Sequence, residues 1–186
     1  MKCKHFGTCG SCSLYQTEYA VQLKEKKEHV AALLAPFYWG KISVFDSPDH
    51  HYRARSEFRI WHEGDHCDYA MGNLEKNGVV LITECPKVAF AIEKRMWVLL
   101  EKINASPILK TKLFAVEFLA TTTDECLITM LYHRRLESDW EEEAKKLQSL
   151  LDCKIIGRSR KQKVILSNEF VTEKLQIDSK EVTYLH

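Results

Sequence analysis

The first twelve residues, MKCKHFGTCGSC, constrain this chain more than any other stretch. They place three of its seven cysteines, Cys3, Cys9 and Cys12, in the spacing C-x5-C-x2-C, with Gly7 and Gly10 beside the sulfurs. Three thiols this close in a glycine-bearing loop read as a ligand set. Thiolates are the soft ligands that iron–sulfur clusters and zinc select, and glycine lets the backbone fold so that several sulfurs converge. A fourth ligand has to come from elsewhere in the chain.

Among the other cysteines, Cys67, Cys126 and Cys153 sit in or beside apolar runs, where a free thiol behaves as a small buried hydrophobe. Cys85 differs. In Thr83-Glu84-Cys85-Pro86-Lys87 it lies between an apolar run and a proline, on a turn that can present its sulfur. Cys3, Cys9, Cys12 and Cys85 therefore read as a four-thiolate iron–sulfur site, with structural zinc and uncoordinated thiols or disulfides as alternatives. Such a site would clip the N-terminal lobe to a corner of the main core. The odd cysteine count, with no signal peptide and no long apolar run, points to a reducing cytoplasm and to no membrane.

Periodicity orders the rest. Ser13 to Gln16 fits a capping box, and Tyr19, Leu23, Val30, Leu33 and Leu34 then recur at helical spacing until Pro36, which predicts a long amphipathic helix packed on the core. A short strand is expected at residues 42–45. Alternation predicts a strand from His51 to Trp61, with Tyr52, Ala54, Phe58 and Ile60 on one face and Arg53, Arg55, Arg59 and Trp61 on the other. Turns at Glu63–Asp65 and Lys76–Gly78 divide an antiparallel meander that ends at Cys85-Pro86. A helix follows over 88–104, then two strands over 112–119 and 126–133, apolar at nearly every position, as strands covered on both faces would be. Trp140, Ala144, Leu147 and Leu151 mark another helix, and a hairpin with the basic tip Arg158 to Lys163 follows.

The fold class this predicts is α+β: a largely antiparallel sheet with packed helices, preceded by a cysteine-cluster loop and a long N-terminal helix. Residues 1–38 would form the loop and helix, and 39–186 the main domain. A hydrophobic content of 45% over 186 residues suffices for one sizeable core. The net charge is +1, so overall charge does not favour nucleic acid and any such role rests on local clusters. Three arginines and an indole on one strand face form such a cluster, since guanidinium groups bind phosphate through paired hydrogen bonds and stack on rings. No glycine-rich nucleotide-binding turn, no paired carboxylates and no activated Cys/His pair are present. Residues alone thus give a cysteine-cluster domain with an arginine-lined RNA-binding face and no catalytic centre.

Several separated motifs carry a resemblance. Ser47-Pro48, His51 to His62, Lys112-Leu113-Phe114, Leu131 to Leu136 and Ile156-Gly157-Arg158 resemble, in the family's order, the amino-terminal RNA-binding part of bacterial tRNA (uracil-5-)-methyltransferases. The cysteine loop is instead similar to that of ribosomal-RNA uracil-5-methyltransferases, where this spacing plus a later Cys-Pro binds a [4Fe–4S] cluster, and Cys3, Cys9, Cys12 and Cys85 match that pattern. The resemblance implies a two-part enzyme. One part grips RNA. The other binds S-adenosylmethionine and carries a cysteine that adds to C6 of uracil so that C5 attacks the methyl group. It further implies that Arg59, Phe114 and His133 contact the T-arm of tRNA, with Phe114, which periodicity alone puts in the core, stacking on a displaced base. Arg53, Arg55, Arg134 and Arg158 complete the expected RNA-binding set. The catalytic part is absent after His186, so the chain is expected to be a portion of the enzyme that depends on its own C-terminal domain. A fragment of a ribosomal-RNA enzyme, a stand-alone metal-stabilised RNA-binding module and an electron-transfer protein are the rival readings.

Overall fold

The computed structural model describes residues 2–186. After the cysteine loop come α1 (Tyr19–Leu34), β1 (Arg55–Glu63), β2 (His66–Gly72), β3 (Val79–Leu81), α2 (Phe90–Ala105) and the short α3 (Pro107–Lys110). Then follow β4 (Leu113–Ala120), β5 (Cys126–Tyr132), α4 (Ser138–Leu151), β6 (Lys154–Ser159), β7 (Gln162–Ile165) and the hairpin β8 (Thr172–Ile177) and β9 (Lys180–Leu185). Seven strands form one sheet in the order β3-β2-β1-β4-β5-β6-β7, and β8-β9 stand apart as a second sheet. Every neighbouring pair is antiparallel except β5–β6. A parallel pair needs a crossover, and α4 supplies it. The α+β expectation holds; the parallel pairing has no signature in the local pattern.

The helices cover one face of the sheet. Ile92, Met96, Leu99 and Ile103 of α2 and Trp140, Ala144, Leu147 and Leu151 of α4 are buried against Phe58, Ile60, Tyr69, Phe118, Ile128 and Ile155. Trp140 fits because Gly157 on β6 has no side chain; a Cβ there would lie 2.3 Å from the indole ring. Arg95 on α2 is buried and donates to the carbonyls of Leu151 and Asp152 and to Asp124. It thus satisfies carbonyls that the end of α4 leaves without an intrahelical partner, and it holds the β4–β5 turn. On the opposite face a small cluster, Leu119, Leu127, Ile156 and Val171, covers only one end. The rest of that face is open.

The N-terminal third departs from expectation. The first helix begins at Tyr19, not beside Ser13, and has no side-chain cap. Gln22 closes the preceding turns by donating to the carbonyls of Leu14 and Thr17, while Gln16 bonds Tyr15. No residue of α1 is buried, so its apolar stripe packs on no core. Residues 41–48 form no strand, because neither sheet edge, β3 or β7, pairs with them. Nor does β1 reach back to His51: Tyr52 and Ala54 are exposed, and Arg53 makes a parallel bridge to Val88 ahead of the strand.

Candidate functional site

Two regions gather the residues singled out by the sequence. The first is a corner where the cysteine loop meets the end of β2 and the β3–α2 connection. Cys9 bridges Asn73, Gly10 N–H donates to Gly72 O at 2.9 Å, and Leu74 N–H donates to Thr8 O at 2.8 Å, so the loop continues the sheet for a few residues. Gly10 has no alternative here, since a Cβ would stand 2.7 Å from Asn73 O. From the other side, Lys4 N–H donates to Glu84, Thr83 N–H to the His5 ring, and Lys87 Nζ to Ser11.

These contacts bring Cys3, Cys9, Cys12 and Cys85 to the wall of one cavity of about 110 Å³. All four thiols are free. Burial pushes the Cys85 thiol up to about 11 and raises that of Cys3, and Cys3 and Cys85 each feel the charge of Cys12. Among the described residues no group of three or more His, Cys, Asp or Glu side chains is set to hold a metal ion as it stands. A lone zinc needs its sulfurs about 2.3 Å from one point; a cluster spreads them around a larger core. Two groups that the sequence reading missed share the cavity. Ser56 presents a buried hydroxyl with no partner among the described residues, and Lys87 is 6% exposed. Strand parity could have revealed Ser56, which lies on the inward face with Phe58. Cys67, Cys126 and Cys153 lie apart from this cavity, as expected of packing residues, with burial pushing their thiols up to about 11, 12 and 12.

The second region is the open face of the sheet. Arg55, Glu57, Arg59 and Trp61 alternate outward from β1, while Ser56, Phe58 and Ile60 point inward. Register then aligns Arg59, Ala115, Leu131, Arg158 and Lys163 in one row across β1, β4, β5, β6 and β7. Two cationic columns thus flank a small apolar floor. Arg53 is not part of this row, since it lines the thiol cavity instead. Arg55 pairs with Glu117 at 3.2 Å.

At one end of this row β4 is irregular between Leu113 and Ala115. A bulge re-aims a side chain. Leu113 enters the core while Phe114, the next residue, is 41% exposed, which corrects the core assignment made from periodicity. Its ring stacks on His133 with centroids 4.5 Å apart and planes 19° from parallel. Phe114, His133, Arg158, Arg160, Lys161 and Lys163 are among the residues lining a groove of about 680 Å³. Arg134 stands beside it but is already engaged, donating to the carbonyls of Thr111, Ile108 and Arg135. Among the described residues, no helix is long and apolar enough to cross a membrane.

The profile of the family described as tRNA (Uracil-5-)-methyltransferase matches residues 18–186. A tRNA/tmRNA (uracil-C(5))-methyltransferase of Sulfurovum sp. (strain NBC37-1) is 67% identical over all of this chain, which covers 50% of that protein. Its counterpart in Sulfurimonas denitrificans is 49% identical over 99% of the chain and 50% of its own length, and that in Chromohalobacter salexigens 43% over 89% and 46%. The chain spans about half the length of the curated relatives it matches.

Proposed function

Because this chain belongs to the tRNA (uracil-5-)-methyltransferase family, we propose that it is the RNA-gripping half of an S-adenosylmethionine-dependent enzyme that methylates C5 of a uridine in the T-arm of tRNA. The observation that carries the reading is the stacked Phe114–His133 pair at the end of a cationic row. An exposed aromatic beside phosphate-binding cations suits a nucleic acid with one base turned out of its stack: the ring takes the base while arginine and lysine take the backbone. Arg59 and Arg158 are the phosphate contacts on this reading, with Arg55 and Lys163, which pair with Glu117 and Glu169, secondary. Methyl transfer and cofactor binding belong to the part of the relatives that this chain does not span.

The cysteine corner carries a [4Fe–4S] cluster on the same reading. Its support is the chemistry of the donor set: four free thiols on one cavity wall, drawn from a loop and a corner more than seventy residues apart. Cys3, Cys9, Cys12 and Cys85 would hold the cluster, which would join three sulfurs of the loop to one of the domain. His5 is a poor fourth ligand, because its ring nitrogen already accepts from Thr83 N–H at 3.0 Å.

The RNA reading is tested by titrating the chain with a fluorescent T-arm hairpin. Base–aromatic stacking is worth about 1–3 kcal/mol, so Phe114→Ala should weaken binding about tenfold while leaving the salt dependence as it was. Unchanged affinity would remove the groove from the interface.

A further inference from the structure

The cysteine cavity has a polar wall that no ligand role explains. Ser56 Oγ is buried and has no hydrogen-bond partner among the described residues. A hydroxyl left so costs about 1–3 kcal/mol, and native chains rarely leave one without something to bind. Lys87, on the same wall, is buried to 6% exposure, and among the described residues its ammonium reaches only the hydroxyl and carbonyl of Ser11. Among the described residues it has no carboxylate partner: Glu57 and Glu84 line the same cavity, but Glu84 pairs with Lys4 and neither lies within ion-pair distance of the Lys87 ammonium. A buried cation without a counter-charge is costly. Both groups therefore call for an occupant that is anionic and accepts hydrogen bonds, and both line the cavity that the four thiols line.

Resting on the cluster reading above, we propose that Ser56 and Lys87 are positioning residues for that cluster: Ser56 donates its hydroxyl hydrogen to a cluster sulfur, and Lys87 balances the cluster's negative charge. An iron–sulfur core with four thiolate ligands is an anion whose sulfurs accept hydrogen bonds, and such bonds and nearby charge set its reduction potential. Both groups stabilise the more negative, reduced form, so each raises the potential. The residues sit where sequence gives them a reason. Ser56 replaces an apolar residue on the inward face of β1, beside Phe58, and Lys87 follows the ligand Cys85 by two positions on the turn that presents it.

The test is a redox titration of the chain reconstituted without oxygen, followed by its visible absorption and by the electron paramagnetic resonance of the reduced cluster. Ser56→Ala should keep the same iron and sulfide content as the parent, because removing the hydroxyl breaks no hydrogen bond within the described protein. Its midpoint should fall so that about tenfold less cluster is reduced at a given potential, equivalent to about 59 mV for a one-electron couple. Ser56→Thr, which keeps the hydroxyl, should restore the parent value. Lys87→Met should lower the midpoint in the same direction. A parent protein that takes up zinc or no metal would overturn the cluster reading and this assignment together. A loaded parent whose Ser56→Ala variant titrates at the same potential would overturn this assignment alone.

Discussion

The thiol corner and the Phe114 groove lie on one sheet but are built in opposite ways. The corner is closed. Residues far apart in sequence meet there through backbone hydrogen bonds, the thiols are partly buried and burial raises those of Cys3 and Cys85, and a single added methyl at Gly10 would collide with Asn73. The groove is open. Its walls come from strand ends and one hairpin tip, its cations are largely exposed, and its one aromatic pair faces solvent. On the proposed reading the difference separates a tie from a grip: the first would gain from geometry that cannot move, the second from charge and ring faces left free for a partner.

The sharpest way to break this contrast is at the corner's fourth sulfur. Protein prepared without oxygen should carry about four irons per chain, and Cys85→Ser should lose nearly all of them. Amide exchange at Gly10 and Leu74 should then rise, because these groups hold the loop to β2. Cys153→Ser serves as the control and should keep its metal. Full metal retention in Cys85→Ser would show that the corner is not a four-thiolate site. A smaller effect is expected at Gly10. Gly10→Ala must push Asn73 aside, and overpacking of this kind costs about 1–3 kcal/mol; thermal unfolding should report the loss while T-arm binding at the distant groove stays as in the parent. Weakened RNA binding in that variant would mean that the two regions are not independent.

Much of this was legible beforehand where one local pattern decides the outcome. The stripes of α2 and α4 were readable because a helix buries every third or fourth residue, and the inward parity of Phe58 and Ile60 because a strand buries every second. Cys85 stood out because a proline followed it at the end of an apolar run. What was not legible depends on partners. The stripe of α1 has the same spacing as that of α2, but no residue of the described chain covers it. The run at 42–45 has strand composition without a strand edge beside it. Phe114 is identical in local pattern to a core residue, and only the bulge between Leu113 and Ala115, a property of the β4–β5 register, turns it out. The resemblance implied an outward ring there where periodicity implied a core one, and the ring is exposed.

Two arginines that flank the groove make the finest test, because sequence treats them alike. Arg158 is exposed, lies in the cationic row and has no carboxylate partner among the described residues. Arg134 is half-buried, and its guanidinium donates to the carbonyls of Ile108 and Thr111, in and just after α3, and to that of its neighbour Arg135. If the groove grips phosphate, Arg158→Ala should weaken T-arm binding a few-fold at low salt and reduce the slope of log affinity against log salt by about 1, as expected for one lost phosphate contact. Arg134→Ala should leave that slope unchanged. Its cost falls on the fold, where carbonyls lose their donors, and appears as a lower unfolding temperature. Measuring both variants against the same hairpin over a salt series therefore distinguishes contact from scaffold. Equal slopes in the two variants would mean that the cationic row on the open face is a solvated surface and that the RNA is held elsewhere.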